Sequence, residues 1–177
     1  MGDNEIVAAC LQGQGEEFGQ IVDIYKAPVM ALAMNILGNR EDAEDACQET
    51  FIQVYRNLAR FDPQKSLRNW IFTILYRRCL DQLKKKRRFQ SAFNKAKHEA
   101  LREIPPETAG RRQPLPKEIL GCLRPKERTV LALWANESLT AGEISEVLCC
   151  SPSTARVYLF NARKKIKSLL EKSHAPF

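Results

Sequence analysis

Long apolar runs are missing from this chain. No stretch approaches the roughly 20 residues that a membrane-spanning helix needs, and Met1 to Gly19 has neither the basic start nor the hydrophobic stretch of a secretory signal. A cytoplasmic protein is therefore expected. Metal-ligand spacing is missing too: Cys10, Cys47, Cys79, Cys122, Cys149 and Cys150 form no C-x-x-C pair, and His98 and His174 lie far from all of them. The reading is no metal and no cofactor, with the cysteines acting as small hydrophobes in a reducing compartment. A redox role for adjacent Cys149 and Cys150 is the alternative. Enzyme constellations fail as well: there is no nucleophile beside a base, no paired carboxylates in a polar pocket and no phosphate loop, so neither catalysis nor a small-molecule substrate is expected. Sustained apolar–polar alternation is nowhere to be found, which removes sheet-based folds.

What is present is helical periodicity and positive charge. The 177 residues leave room for one ordinary domain or two small ones. Lys and Arg number 28 against 21 acids, a formal net charge of +7, which favours an anionic partner and leaves nucleic acid, acidic protein and membrane surface all open. From Asn4 to about Arg88 apolar residues recur at three and four. They predict a helix over Asn4 to Gln12 and another over Gly15 to Leu37, with Phe18, Ile21, Val22, Tyr25, Val29, Ala33 and Ile36 facing inward. Pro28 is expected to kink or split the second helix and Gly38 to end it. Asn39 caps a third, whose acids Glu41, Asp42, Glu44, Asp45 and Glu49 precede a buried face of Phe51, Ile52, Val54, Tyr55 and Leu58. Phe61 to Ser66 reads as a loop. A long helix then carries Leu67, Trp70, Ile71, Ile74 and Leu75 on one face and ends in Lys84, Lys85, Lys86, Arg87 and Arg88.

Between about Phe89 and Pro116 the pattern decays into charge, Gly110 and prolines, the composition of a linker. Periodicity returns through Ile119, Leu120, Leu123, Val130, Leu131, Leu133 and Trp134, with Pro125 at a helix start. Thr140 and Glu143 form a capping box ahead of Ile144, Val147 and Leu148; Cys149 and Cys150 make a turn; Ser151 caps a last helix with Pro152 at its first position. Ala155, Leu159, Ala162, Ile166 and Leu169 face inward there. The opposite face offers Ser153, Thr154, Arg156, Tyr158 and Asn161 early and Arg163, Lys164, Lys165 and Lys167 late, suited to base edges and then phosphates. This is a helix-turn-helix with its recognition helix. A merely solvated basic helix has the same charge spacing. The fold expected is all-α: two small helical domains, 1–92 and 115–177, joined by a flexible linker, 93–114, the second domain being the helix-turn-helix.

The stretch from Asn39 to Phe51, then Phe61-Asp62-Pro63, Leu67 to Ile71 and Asp81, resembles region 2 of the extracytoplasmic-function sigma factors, and Ala141 to Leu170 resembles their region 4. An acidic-aromatic block followed much later by a helix-turn-helix is more specific than either alone. The resemblance implies three partners: core RNA polymerase, promoter DNA and an anti-sigma factor. It places the polymerase clamp helices against Asp42, Glu44, Asp45, Gln48 and Glu49. It makes the Phe61 to Ser66 loop a pocket for a flipped base of the minus-ten element, rimmed by Asp62, Gln64, Lys65 and Ser66. Arg68, Asn69, Thr73, Tyr76 and Arg77 would hold the melted strand, with Trp70 in the core, and Lys84, Lys85, Lys86, Arg87 and Arg88 would meet phosphates. The minus-thirty-five element falls to Ser151, Ser153, Thr154, Arg156, Tyr158, Asn161, Arg163 and Lys164.

Some positions depart from the family. Cys149 stands where Gly is usual, at a cost of about 1 kcal/mol if its φ is positive, and Arg77 stands where Asn is frequent. Val157, Tyr158 and Phe160 replace more polar residues, suggesting an unusual sequence preference or a protein-covered surface, and are the candidate anti-sigma contact. The mechanism implied is avidity between two weak DNA readers whose separation the polymerase fixes. Rival readings are a free-standing helix-turn-helix regulator, which leaves the acidic block idle, and a sigma-like protein that sequesters an anti-sigma factor, which leaves Arg156, Arg163, Lys164 and Lys165 idle.

Overall fold

The computed structural model describes residues 2–93 and 116–173, so all but the first residue of the expected linker lies outside the described residues. Among those described there are helices and no strand. Helix α1 (Asp3–Leu11) leads through a 3₁₀ turn (Gly15–Glu17) into α2 (Phe18–Leu37), followed by α3 (Arg40–Asn57), a second 3₁₀ turn (Leu58–Arg60) and α4 (Leu67–Phe93). The second half comprises α5 (Lys117–Cys122), α6 (Pro125–Glu137), α7 (Ala141–Leu148) and α8 (Pro152–Ser173).

Local chemistry sets the boundaries. Gly38 ends α2 at φ 69°, where a Cβ would be strained. The Asn39 side chain then accepts the Asp42 N–H at 3.0 Å and starts α3. Thr140 and Glu143 cap each other's backbone at the start of α7, and Ser151 Oγ accepts the Thr154 N–H at 3.2 Å at the start of α8. Pro28 was expected to kink or split α2, yet one helix runs through it. A proline withholds a single donor, and Pro28 is itself buried beside Val29, Ala31, Leu32 and Ala33, so packing holds both flanking turns.

The first domain packs α2, α3 and α4 mutually. Ile21, Val29, Ile36, Val54, Ile71, Phe72 and Leu75 are fully buried, each stabilising the fold by roughly 1.5–3 kcal/mol relative to exposure. Helix α3 passes its acidic half over this core on small residues, Ala43, Ala46, Cys47 and Thr50. Tyr55, expected on its buried face, is instead 55% exposed. In the second domain α8 packs on α6 and α7, while Trp134, expected to face inward, is exposed beneath the Arg163 guanidinium, 4.0 Å from the ring centroid.

The two domains are in contact. Helix α6 packs on α2 and α7 on α4, and one apolar cluster runs from Ile6 through Phe72 to Leu133, Ile144 and Ala155. Periodicity alone did not reveal this contact, because an apolar stripe shows that a face is covered and not which element covers it.

Candidate nucleic-acid interface

The outer face of α8 is built from its cap upward. Ser151 Oγ lies 2.8 Å from both Ser153 Oγ and Thr154 Oγ1, so three expected DNA contacts form one hydroxyl cluster at the positive end of the helix. Beyond it Arg156, Arg163 and Lys164 are exposed and Asn161 is half-buried. Two of the side chains read as outward turn in. Tyr158 packs against the core with the Lys126 ammonium 5.6 Å from its ring centroid. Lys165 reaches back to the buried Glu127 carboxylate, at 2.7 and 2.9 Å. Burial opposes charge on Glu127, but the Lys165 hydrogen bond and the Arg124 N–H hold its carboxyl below the ordinary value. The turn before α8 keeps the left-handed geometry a glycine would favour, with Cys149 at φ 51° and ψ 50°.

The Phe61 to Ser66 segment is a loop. Asp62 Oδ1 accepts the Gln64 N–H at 3.0 Å, Ser66 Oγ accepts the Asn69 N–H at 3.3 Å, and Asn4 donates to the Pro63 carbonyl at 3.0 Å. A cavity of about 380 Å³ opens beside it, lined by Asn4, Glu5, Lys65 and Ser66 among others. Trp70 is half-buried against the core and packs on Phe61 with ring centroids 5.2 Å apart.

On α4 the expected strand-binding residues are largely covered. Asn69 is 6% and Tyr76 3% exposed, and Thr73 Oγ1 donates to the Asn69 carbonyl at 2.8 Å. Arg68 bonds the Glu137 carbonyl at 3.3 Å and Arg77 lies 3.3 Å from Cys149 Sγ. Burial, then the neighbouring Tyr158, Cys150 and Cys149, pushes the Tyr76 phenol up to about 12. Further along, Lys84, Lys85, Arg87 and Arg88 are exposed.

Of the expected polymerase contacts, Asp45, Gln48 and Glu49 line an exposed face of α3, whereas Asp42 pairs with Lys86 and Glu44 with Arg40. That face continues into an apolar groove of about 600 Å³, lined by Phe18, Val22, Phe51, Ile52 and Tyr55. The groove was missed because Ile52 and Tyr55 keep helical spacing with the core; the aromatic-rich composition of this stretch was the available signal.

Residues 21–89 match the sigma-70 region 2 family and residues 117–166 the sigma-70 region 4 family, together more than half of the chain. The ECF RNA polymerase sigma factor SigW of Bacillus subtilis is 37% identical over 76 residues, 43% of this chain and 41% of that protein. The RNA polymerase sigma-H factor of Pseudomonas aeruginosa is 26% identical over 96% of this chain and 94% of its own. The same fold occurs in the sigma factor RpoE of Bartonella quintana, solved with the anti-sigma factor NepR, at a TM-score of 0.75 and 20% identity over 88% of this chain and 98% of that one. The chain belongs to the sigma-70 family, in its extracytoplasmic-function group. Its function is that of an alternative sigma factor, which directs RNA polymerase to promoters. No helix among the described residues is long and apolar enough to cross a membrane.

Proposed function

We propose that this sigma factor grips core polymerase through α3 and reads promoter DNA with α8 and, after the two domains separate, with α4. The observation that carries the reading is the presence of two surfaces of opposite character. Asp45, Gln48 and Glu49 run into the apolar groove of Phe18, Ile52 and Tyr55, so that charge steers a basic partner and apolar burial retains it. Arg156, Arg163 and Lys164 stand on the outer face of a helix-turn-helix, where phosphates are met.

In the closed arrangement the second domain lies over α4, with Glu143 of α7 at Asn69 and with Cys149, Cys150 and Tyr158 beside Tyr76. A single strand reaches Asn69 and Tyr76 only once the contact between α4 and the second domain opens, which couples polymerase engagement to the exposure of the minus-ten reader. Lys84, Lys85, Arg87 and Arg88 then supply sequence-blind phosphate contacts, and the Asp62 to Ser66 loop takes the flipped base. The chain carries out no chemistry of its own and acts in the cytoplasm, where polymerase and promoters are. An anti-sigma factor as regulator is supported by the likeness to RpoE, which was solved with NepR.

Reconstitution with core polymerase on a promoter library tests the reading. Sequence-specific initiation is expected, as is loss of core association in Asp45→Lys/Glu49→Lys. A variant that still associates as tightly as wild type would refute the docking surface.

A further inference from the structure

Two large apolar side chains sit where a DNA-reading helix would be expected to carry polar ones. Val157 is 55% and Phe160 66% exposed. At 3.6 residues per turn, Ser153, Val157, Phe160 and Lys164 fall in one line along α8, opposite Ala155 and Ala162, which are buried against α6 and α7. The pair therefore occupies the centre of the outer face, within the first turns after the Ser151 cap, and Arg156, Lys164 and Lys167 flank it. A cation-rimmed apolar centre on a helix-turn-helix matches a surface that is itself apolar at its centre and anionic at its rim. The major groove is such a surface only where thymine presents its C5-methyl group, between two phosphate backbones.

We propose that Val157 and Phe160 read thymine methyl groups on two neighbouring base pairs of the upstream promoter element. Their three-residue separation, roughly 4.5 Å along the helix axis, is close to the 3.4 Å step between successive base pairs. Arg156 and Lys164 hold the register through phosphates, and Ser153 is left to bond an adjacent base edge. This inference rests on the sigma reading above and adds the base class that α8 selects.

The test uses holoenzyme on a promoter recovered from the library, with its minus-thirty-five thymines replaced by deoxyuridine, which removes each methyl and leaves the pairing edges intact. Promoter affinity is expected to fall about fourfold for each methyl in contact, the worth of one buried carbon. Val157→Ser/Phe160→Ser, on an exposed face where folding is spared, should bind the thymine promoter as weakly as wild type binds the uracil one, and should not distinguish the two. Equal wild-type affinity for both templates, a variant that keeps the uracil penalty, or recovered promoters without thymine in this element would each overturn the proposal and leave the pair to a protein partner. Absence of initiation on any unmodified promoter would overturn the sigma reading itself, and this proposal with it.

Discussion

The ion pair that fixes the recognition helix to its domain gives a sharp stability prediction. Glu127 is 5% exposed, accepts the Arg124 N–H at 2.8 Å as part of the α6 cap, and holds Lys165 of α8 with both oxygens. The Lys165 side chain is 38% exposed, so the pair lies between a solvent-exposed bridge, worth about 0–1 kcal/mol, and a fully buried one, whose breakage costs about 3–5 kcal/mol. In Glu127→Gln the volume and the cap acceptor survive while the charge is lost, and Lys165 can extend into water. A loss of about 2 kcal/mol is expected. The shared core makes the chain unfold largely as one unit of its size, so Tm should fall by about 4–8 °C.

The pH dependence follows from the depressed Glu127 carboxyl. Its contribution is complete above the unfolded value of about 4.3 and disappears as pH falls through the lower folded value. The wild-type advantage over Glu127→Gln should therefore be full at pH 7 and shrink below about pH 4. Calorimetry of wild type, Glu127→Gln, Lys165→Met and the double variant gives the coupling directly. A coupling near zero at pH 7, or parallel pH profiles for wild type and Glu127→Gln, would refute the reasoning.

Three further outcomes are expected. Cys149→Gly should raise Tm by a few degrees, since Cys149 holds φ 51° and glycine relieves about 0.5–1 kcal/mol of left-handed strain; a lower Tm would mean that the Arg77 contact outweighs the strain. Glu137→Ala removes the carboxylate that lies 3.8 Å from Arg68 across the two domains and spares the Glu137 carbonyl that Arg68 bonds, weakening the closed arrangement by about 1 kcal/mol, and dye-pair energy transfer between α3 and α8 should report a longer mean distance than in wild type. Cys47, pushed up to about 12 by burial and then by Glu44, stays a thiol at pH 8, so iodoacetamide followed by peptide mass spectrometry should label exposed Cys149 well before Cys47.

Signals that were strictly local were legible in the sequence. Gly38, Asn39, Thr140 with Glu143, and Ser151 with Pro152 each act within four residues, and each marks a boundary where the chain changes direction. The helix-turn-helix followed from them, as did the core stripe of α2. What failed depended on partners distant in sequence. Tyr158 and Lys165 share the helical spacing of outward residues, but Lys126 and Glu127 on α6 draw them in. Asn69 and Tyr76 are polar enough to predict a wet face, and the second domain covers them. Conversely, Tyr55 and Ile52 looked like core until the groove on α3 placed them at the surface. Period and hydropathy fix which way a side chain points from its own helix and leave open what stands opposite.

That distinction bears on how the closed arrangement can open. Where the second domain meets α4 the seam includes polar groups: Asn69, the Tyr76 phenol, the Glu143 carboxylate near Arg68, and the Arg68–Glu137 pair. Such groups recover water when the seam parts, so separation there costs far less than exposing an equal area of Ile71 and Phe72. The α3 docking surface is separate from this seam, and polymerase can engage it while the domains are still closed. For polymerase to shift the balance from mostly closed to mostly open it must favour the open form by several kcal/mol. Contacts to α3 alone are the same in both forms and shift nothing. The discriminating energy has to come from polymerase holding the second domain apart, so a fragment ending after α4 should bind core enzyme through α3 about as tightly as a full chain held closed, and more weakly than a full chain free to open.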